Sequence, residues 1–204
     1  MKQTLFVCLS VVLLVAIGGV LYGIRMVHRG FSTRVAPGSV ETSLAMKMRN
    51  MAIPLRYKTM KNPVAVTPEE IHEGMAHWAD HCATCHANNG SGDTMYGKTM
   101  YPRPPDMRQK DTQELSDGEL YYTIKNGIRL SGMPAFGDPG DDDLDSWRLV
   151  AFIRHLPKLS DHEEMDMERL NPKGPEEMQE QMEEDQFLNG GKAPAPPQTP
   201  HTHH

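Results

Sequence analysis

Cys82-Ala83-Thr84-Cys85-His86 sets two thiols and an imidazole at a spacing that can do chemistry. Four readings of C-x-x-C-H compete. A zinc site needs two further ligands at suitable spacing. A thioredoxin-like redox pair needs a βαβ context, and the surrounding sequence reads as helical. A structural disulfide has no use for the adjacent histidine. Covalent haem attachment uses all three residues. The thiols of Cys82 and Cys85 add to the two porphyrin vinyl groups as thioethers, and His86 lies beneath the ring as an axial iron ligand. The expected cofactor is one covalent haem c.

A haem iron held by one histidine either takes a sixth ligand or stays open to small molecules. Ser131-Gly132-Met133-Pro134-Ala135-Phe136-Gly137 supplies a candidate. The Met133 thioether suits a soft low-spin iron, and Pro134 biases its backbone toward an extended form. Methionine is common in this chain, with 15 residues, so closeness to the motif in sequence means little. Met95, Met100 and Met107 are rivals in the intervening loop, and His155 is the rival for bis-histidine ligation. Met133 is the expected distal ligand.

Helices must position these groups. Thr67-Pro68-Glu69-Glu70 combines an N-cap, a proline at the first helical position and a glutamate at the third. This predicts a helix from about Pro68 to His81 that delivers the cysteines at its end. Gly74, Trp78 and Cys82 then share one face, and a glycine there permits another helix to approach closely. A further helix starts at Ser116, with Glu119 completing a capping box, and ends at Gly127. The last starts after Asp141-Asp142-Asp143, whose charges suit a helix N-terminus, and is stopped by Pro157.

Residues 67–160 resemble a class I cytochrome c domain, the single-haem type in which the N- and C-terminal helices cross. The resemblance rests on Gly74 and Trp78 ahead of Cys82-Ala83-Thr84-Cys85-His86, and on Gly132-Met133-Pro134 ahead of a helix containing Trp147 and Phe152. It implies an all-α fold, a small cytochrome c fold around one covalent haem. Cys82 and Cys85 would carry the haem, His86 would be proximal and Met133 distal, and Gly74 would sit at the helix crossing. Ala87 departs from the family, in which glycine often follows the motif histidine. The resemblance also implies that a loop carbonyl orients the proximal imidazole and that a basic side chain meets a haem propionate. In Tyr101-Pro102-Arg103-Pro104-Pro105-Asp106, Pro102 or Pro104 is expected in the first role and Arg103 in the second, against the alternative of a solvated surface turn.

The flanks differ from this middle. The 204 residues carry 21 Lys and Arg against 27 Asp and Glu, but residues 1–66 hold nine basic residues and one acidic, and residues 161–204 hold three and eleven. The mild net acidity argues against a nucleic-acid binder, and three cysteines are too few for a disulfide scaffold. Leu5 to Ile24 is an uncharged run of twenty residues, about 30 Å as a helix, enough to cross a bilayer core. Residues 1–30 are therefore expected to be a transmembrane anchor, with a cleaved signal peptide as the alternative. Cys8 reads as a small apolar residue within that span. Residues 31–66 read as a basic linker. Leu44, Met48, Met51 and Leu55 recur there at helical spacing, either as a solvated linker or as an amphipathic segment lying on lipid headgroups or a partner. Residues 161–204 form an acidic tail expected to be disordered from its composition, ending in His201-Thr202-His203-His204.

Aromatics make up only 6% of the chain, which a porphyrin supplying apolar surface to a small core would explain. The expected function is one-electron transfer rather than catalysis, by a single-pass inner-membrane protein with its haem domain in the periplasm. Arg25, Arg29 and Arg34 oppose that orientation by the positive-inside rule, but attachment of c-type haem outside the cytoplasm overrides them. Expected partners are redox proteins or a membrane respiratory complex, met through a basic patch on the partner, with no nucleic acid. A fixed haem subunit of a respiratory or dehydrogenase complex is the alternative. A gas sensor or peroxidase-like enzyme would need an open sixth position.

Overall fold

The computed structural model describes residues 2–30, 32–35, 37–137 and 143–188, and among these no strand occurs. Asp141 and Asp142 of the acidic run, and the tail beyond residue 188 with its terminal histidines, lie outside the described residues.

The first helix, α1 (Lys2–Arg29), is apolar along its length and exposed all round. Its length and composition suffice to cross a membrane, and no other described helix passes that test. Helix α2 (Ser39–Ala52) and the single turn α3 (Leu55–Lys58) follow.

The haem-motif helix α4 (Pro68–His77) begins as the capping signals dictate. The Thr67 hydroxyl accepts from the Glu70 amide, satisfying one of the unpaired N-terminal donors. The helix does not stop at His81. It widens into a π-helical turn, Trp78–Cys82, and then tightens into α5 (Ala83–His86). Beyond the motif come the short turns α6 (Met95–Thr99) and α7 (Lys110–Gln113).

Helix α8 (Asp117–Asn126) carries the expected Ser116/Glu119 capping box and ends on Gly127 at φ 64°. Helix α9 (Leu144–His155) is capped by Asp143, whose carboxylate accepts from the Ser146 amide, and passes into a 3₁₀ turn over Leu156–Lys158.

The core forms where α4 and α9 cross. A Cβ on Gly74 would overlap the Arg148 carbonyl oxygen, so only glycine lets the two backbones approach this closely. Trp78 and Phe152 pack across the crossing with ring centroids 5.7 Å apart, and Arg148 Nε pairs with Glu70 Oε2 at 2.7 Å. Behind α9, Tyr121 of α8 stacks on Trp147 at 4.0 Å and 10° between planes. Such a pair contributes about 0.5–1.5 kcal/mol beyond its burial. The Arg154 guanidinium gathers Asp117 Oδ1 and the Gln113 and Leu115 carbonyls, fixing α9 to the start of α8.

Packing runs past both expected domain boundaries. Upstream, Ile53, Tyr57 and Val64 are buried in the core, and Asn62 donates from Nδ2 to the Trp147 carbonyl at 2.9 Å. The final third of the expected linker is therefore part of the domain. Downstream, the described residues of the expected acidic tail, 161–188, carry helix. Residues 161–170 form α10 (Asp161–Leu170), capped by a Ser160/Glu163 box, and α11 (Pro175–Leu188) follows. The composition is polar, but Met167 is fully buried against the core and His155 Nε2 meets Glu163 Oε1 at 2.8 Å. One well-placed apolar anchor and a capping box hold a helix that lacks an apolar stripe.

Candidate functional site

The motif residues sit where α4 changes character. The π turn closes with the Ala83 amide donating to the Trp78 carbonyl, five residues back. Single π turns of this kind are frequent at functional sites. Asn171 at the end of α10 spans this turn. With its amide turned to satisfy its neighbours, Nδ2 donates to the Ala79 carbonyl at 3.0 Å.

Cys82 and Cys85 are both free thiols. Burial, aided by Cys85 and then Asp80, pushes the Cys82 thiol up to about 12. A thiol-disulfide exchange centre carries the opposite shift, so this one lends the redox-pair reading no support.

The His86 ring is buried, and burial pulls its pKa down to about 4, which leaves it neutral. A neutral imidazole is the form that ligates a metal. Its Nδ1 is buried without a hydrogen-bond partner. The carbonyl expected from Pro102 or Pro104 does not reach it in this structure. The Pro104 carbonyl does lie against Gly92, whose own N–H donates to the His86 carbonyl at 2.8 Å. Trp78 lies 5.5 Å from His86, ring centre to ring centre, and its Nε1 donates to the Ala87 carbonyl at 3.1 Å. A thiol at the end of the π turn and another in α5, a buried neutral imidazole beside them and an orphaned second ring nitrogen together fit a covalent haem.

Ala87 adopts φ 64°, ψ 158°. That region is strained for a residue with a Cβ and favours glycine. The departure noted in the sequence is thus a real local strain, held in place by the Ala83 carbonyl at its amide and the Trp78 indole at its carbonyl.

The Met133 loop is tied down at both ends. The Ile128 amide donates to the Met133 carbonyl at 3.1 Å, and the Ser131 hydroxyl accepts from the Met133 amide at 3.1 Å. The Phe136 amide then donates to the Ile124 carbonyl of α8. Phe136 meets His81 edge-on at 6.4 Å and 83°, which brings the loop against the residue preceding Cys82. Met100 reaches the same loop, with its methyl group against Gly132. Of the rivals, then, Met100 is brought to the site's edge, Met107 packs partly buried against the core, and Met95 is exposed. His155 is taken by Glu163. Arg103 is exposed on its extended segment.

Sequence reasoning passed over His77 and His81. They are four residues apart, and their rings stack at 4.7 Å and 18°. The i, i+4 spacing ahead of the motif was the available signal. Among the described residues no group of three or more potential ligands could hold a further metal ion.

A model of the family described as cytochrome C oxidase, cbb3-type, subunit III, matches residues 69–153. No curated protein matches the chain. The matched span opens in the first turn of α4 and closes in the last turn of α9, so it takes in the crossing helices, the motif and the Met133 loop. Residues 69–153 are a cytochrome c domain of the cbb3 type, a class I domain whose role is haem-based electron transfer.

Proposed function

We propose that the chain is a membrane-anchored one-electron carrier with one haem bonded to Cys82 and Cys85, His86 as proximal ligand and Met133 as distal ligand. The observation that carries this reading is the buried, neutral His86 imidazole directly after two free thiols within a cytochrome c domain. When bound, haem supplies an Fe(III)/Fe(II) couple that exchanges one electron without making or breaking a substrate bond.

The chain's residues hold and shield that couple. Cys82, at the end of the π turn, and Cys85, in α5, would carry the haem through two thioethers. Trp78 packs beside the His86 ring and limits its rotation. The Met133 thioether would raise the potential relative to a second histidine, and the hydrogen bonds across residues 128–133 hold the Met133 backbone in place. Arg103 is the proposed partner of a haem propionate. Helix α1 anchors the protein in the inner membrane with the domain on the periplasmic side, uncleaved.

A second reading is a fixed haem subunit of a respiratory complex. The description of the matched family favours it, as does the packing of residues 53–64 onto the domain, which shortens any tether. Purification of the native protein from membranes, with intact mass and a potentiometric titration of the haem, tests both. A mass showing one covalent haem and an unprocessed N-terminus, with a reversible one-electron step, is expected. Stoichiometric partners in the same preparation select the subunit reading. Rapid CO binding to the reduced native protein would replace electron transfer with a sensor or peroxidase-like role.

A further inference from the structure

Helix α2 has two faces that differ in kind. One meets the domain. Burial lowers the Arg49 pKa against the pull of Asp111 and Glu119, the Asn50 carbonyl accepts from Lys58 Nζ at 2.8 Å, and Ile53, just past the helix end, is buried in the core. On a helix, residues 46, 49, 50 and 53 lie on one side, and residues 40, 44, 48 and 51 lie on the other. That second side is apolar and uncovered. Val40, Leu44, Met48 and Met51, continued in the chain by Leu55, are between 58% (Leu44) and 81% (Leu55) exposed. A solvated linker has no need of four large apolar residues in register on the side turned away from the domain.

We infer that this outer face of α2 lies in the interfacial layer of the membrane that α1 spans, so that α2 clamps the haem domain against the bilayer surface. Two observations commit it to lipid, given α1 in the bilayer. Only nine residues separate Arg29, the end of α1, from Ser39, the start of α2. At about 3.5 Å per residue they reach at most roughly 30 Å, so α2 stays near the headgroups. The surrounding segment is cationic. With Lys58 engaged by Glu119 and Arg49 facing the domain, Arg34, Lys47, Arg56 and Lys61 remain exposed, against one acid, Glu41. An apolar stripe flanked by cations is the pattern that binds an anionic lipid surface. With α1 in the bilayer, the face would continue that membrane contact rather than found a new one. The consequence is a haem held at a fixed height and orientation above the membrane, suited to a redox partner embedded in the same bilayer. The inference rests on α1 being in the membrane.

The test places one nitroxide at a time on the full-length, haem-loaded chain carrying Cys8→Ser, using Leu44→Cys, Met48→Cys or Met51→Cys. Thr42→Cys serves as a label off the stripe and Val15→Cys as a label on α1. The haem spectrum must match wild type in each. In vesicles of phosphatidylethanolamine and phosphatidylglycerol, collisions with oxygen, which partitions into lipid, are compared with those of a neutral nickel chelate in water. Oxygen should exceed the chelate severalfold at 15, 44, 48 and 51, with the ratio inverted at 42. Chelate dominance at 44, 48 and 51, with oxygen dominance retained at 15, overturns the clamp and leaves the anchor standing. Exclusion of both reagents at the stripe shows a protein cover and also overturns it. Chelate dominance at 15 refutes the anchor and the clamp together.

Discussion

Gly74→Ala sets two effects of opposite sign against each other. In an exposed helix the change is stabilising, by about 1 kcal/mol. Here a Cβ would overlap the Arg148 carbonyl oxygen and stand 2.9 Å from its carbon and 3.1 Å from Phe152 Cβ. The first two are backbone atoms of α9, so relief requires moving the whole helix, which the Arg148–Glu70 pair and the Arg154 fork oppose. Overpacking of this sort costs about 1–3 kcal/mol, toward the upper end when backbone must give. The net expectation is a loss of about 1–2 kcal/mol. For a domain of this size that lowers the melting temperature by roughly 5–15 °C. Thermal unfolding of the haem-loaded protein, followed by circular dichroism and by the haem absorbance, reads the change. Glu73→Ala, at an exposed neighbour, controls for helix propensity and should stay within about 0.5 kcal/mol of wild type. An unchanged or raised melting temperature for Gly74→Ala would refute the close crossing.

Three further outcomes are expected. Ala87→Gly, which relieves a positive φ, should raise stability by about 1 kcal/mol or more in the same melt, and a loss would show that the turn is not strained. Met167→Ala should destabilise by about 2–4 kcal/mol in urea unfolding, whereas Met165→Ala, on the exposed side of α10, should cost less than about 0.5 kcal/mol. Equal effects would mean that α10 does not pack on the domain. Burial, helped by the neighbouring His81, lowers the His77 pKa below its ordinary 6.5 against the pull of Asp145, Asp80 and Asp143. The unfolded chain therefore binds this proton more readily than the folded one. Its contribution is complete above pH 6.5 and declines as pH falls below it. His77→Gln should flatten the fall in stability between pH 7 and pH 5, and an equally steep or steeper fall would contradict the assignment.

The helix starts were legible because capping is local. Thr67, Ser116 and Asp143 each satisfy an amide within three residues, and no tertiary information is needed to see it. Gly74 was legible for a different reason, since its spacing to Trp78 and the motif already fixes a face. The π turn over Trp78–Cys82 was not. Its residues have no distinctive propensity, and the extra residue is accommodated by Met167 and Asn171 arriving from α10, far along the chain. The same distance hid the docking of α10, which composition alone does not announce and which a single buried methionine and one capping box hold in place. At the site, the motif could be read from local spacing, but the lack of a partner for His86 Nδ1 could not, because it depends on where the proline-rich loop runs. Met100 shows the limit for the distal ligand: only the fold reveals which methionine of the intervening loop returns to Gly132.

The central claim is a haem c held by His86 and Met133, and the most direct measurement is the far-red sulfur-to-iron charge-transfer band of the oxidised protein. The band should be present in the wild type and in Met100→Leu, and absent from Met133→Leu, with the potential of the last lowered. Survival of the band in Met133→Leu, or its loss in Met100→Leu, would contradict the assignment, and its absence from the wild type would contradict methionine ligation altogether.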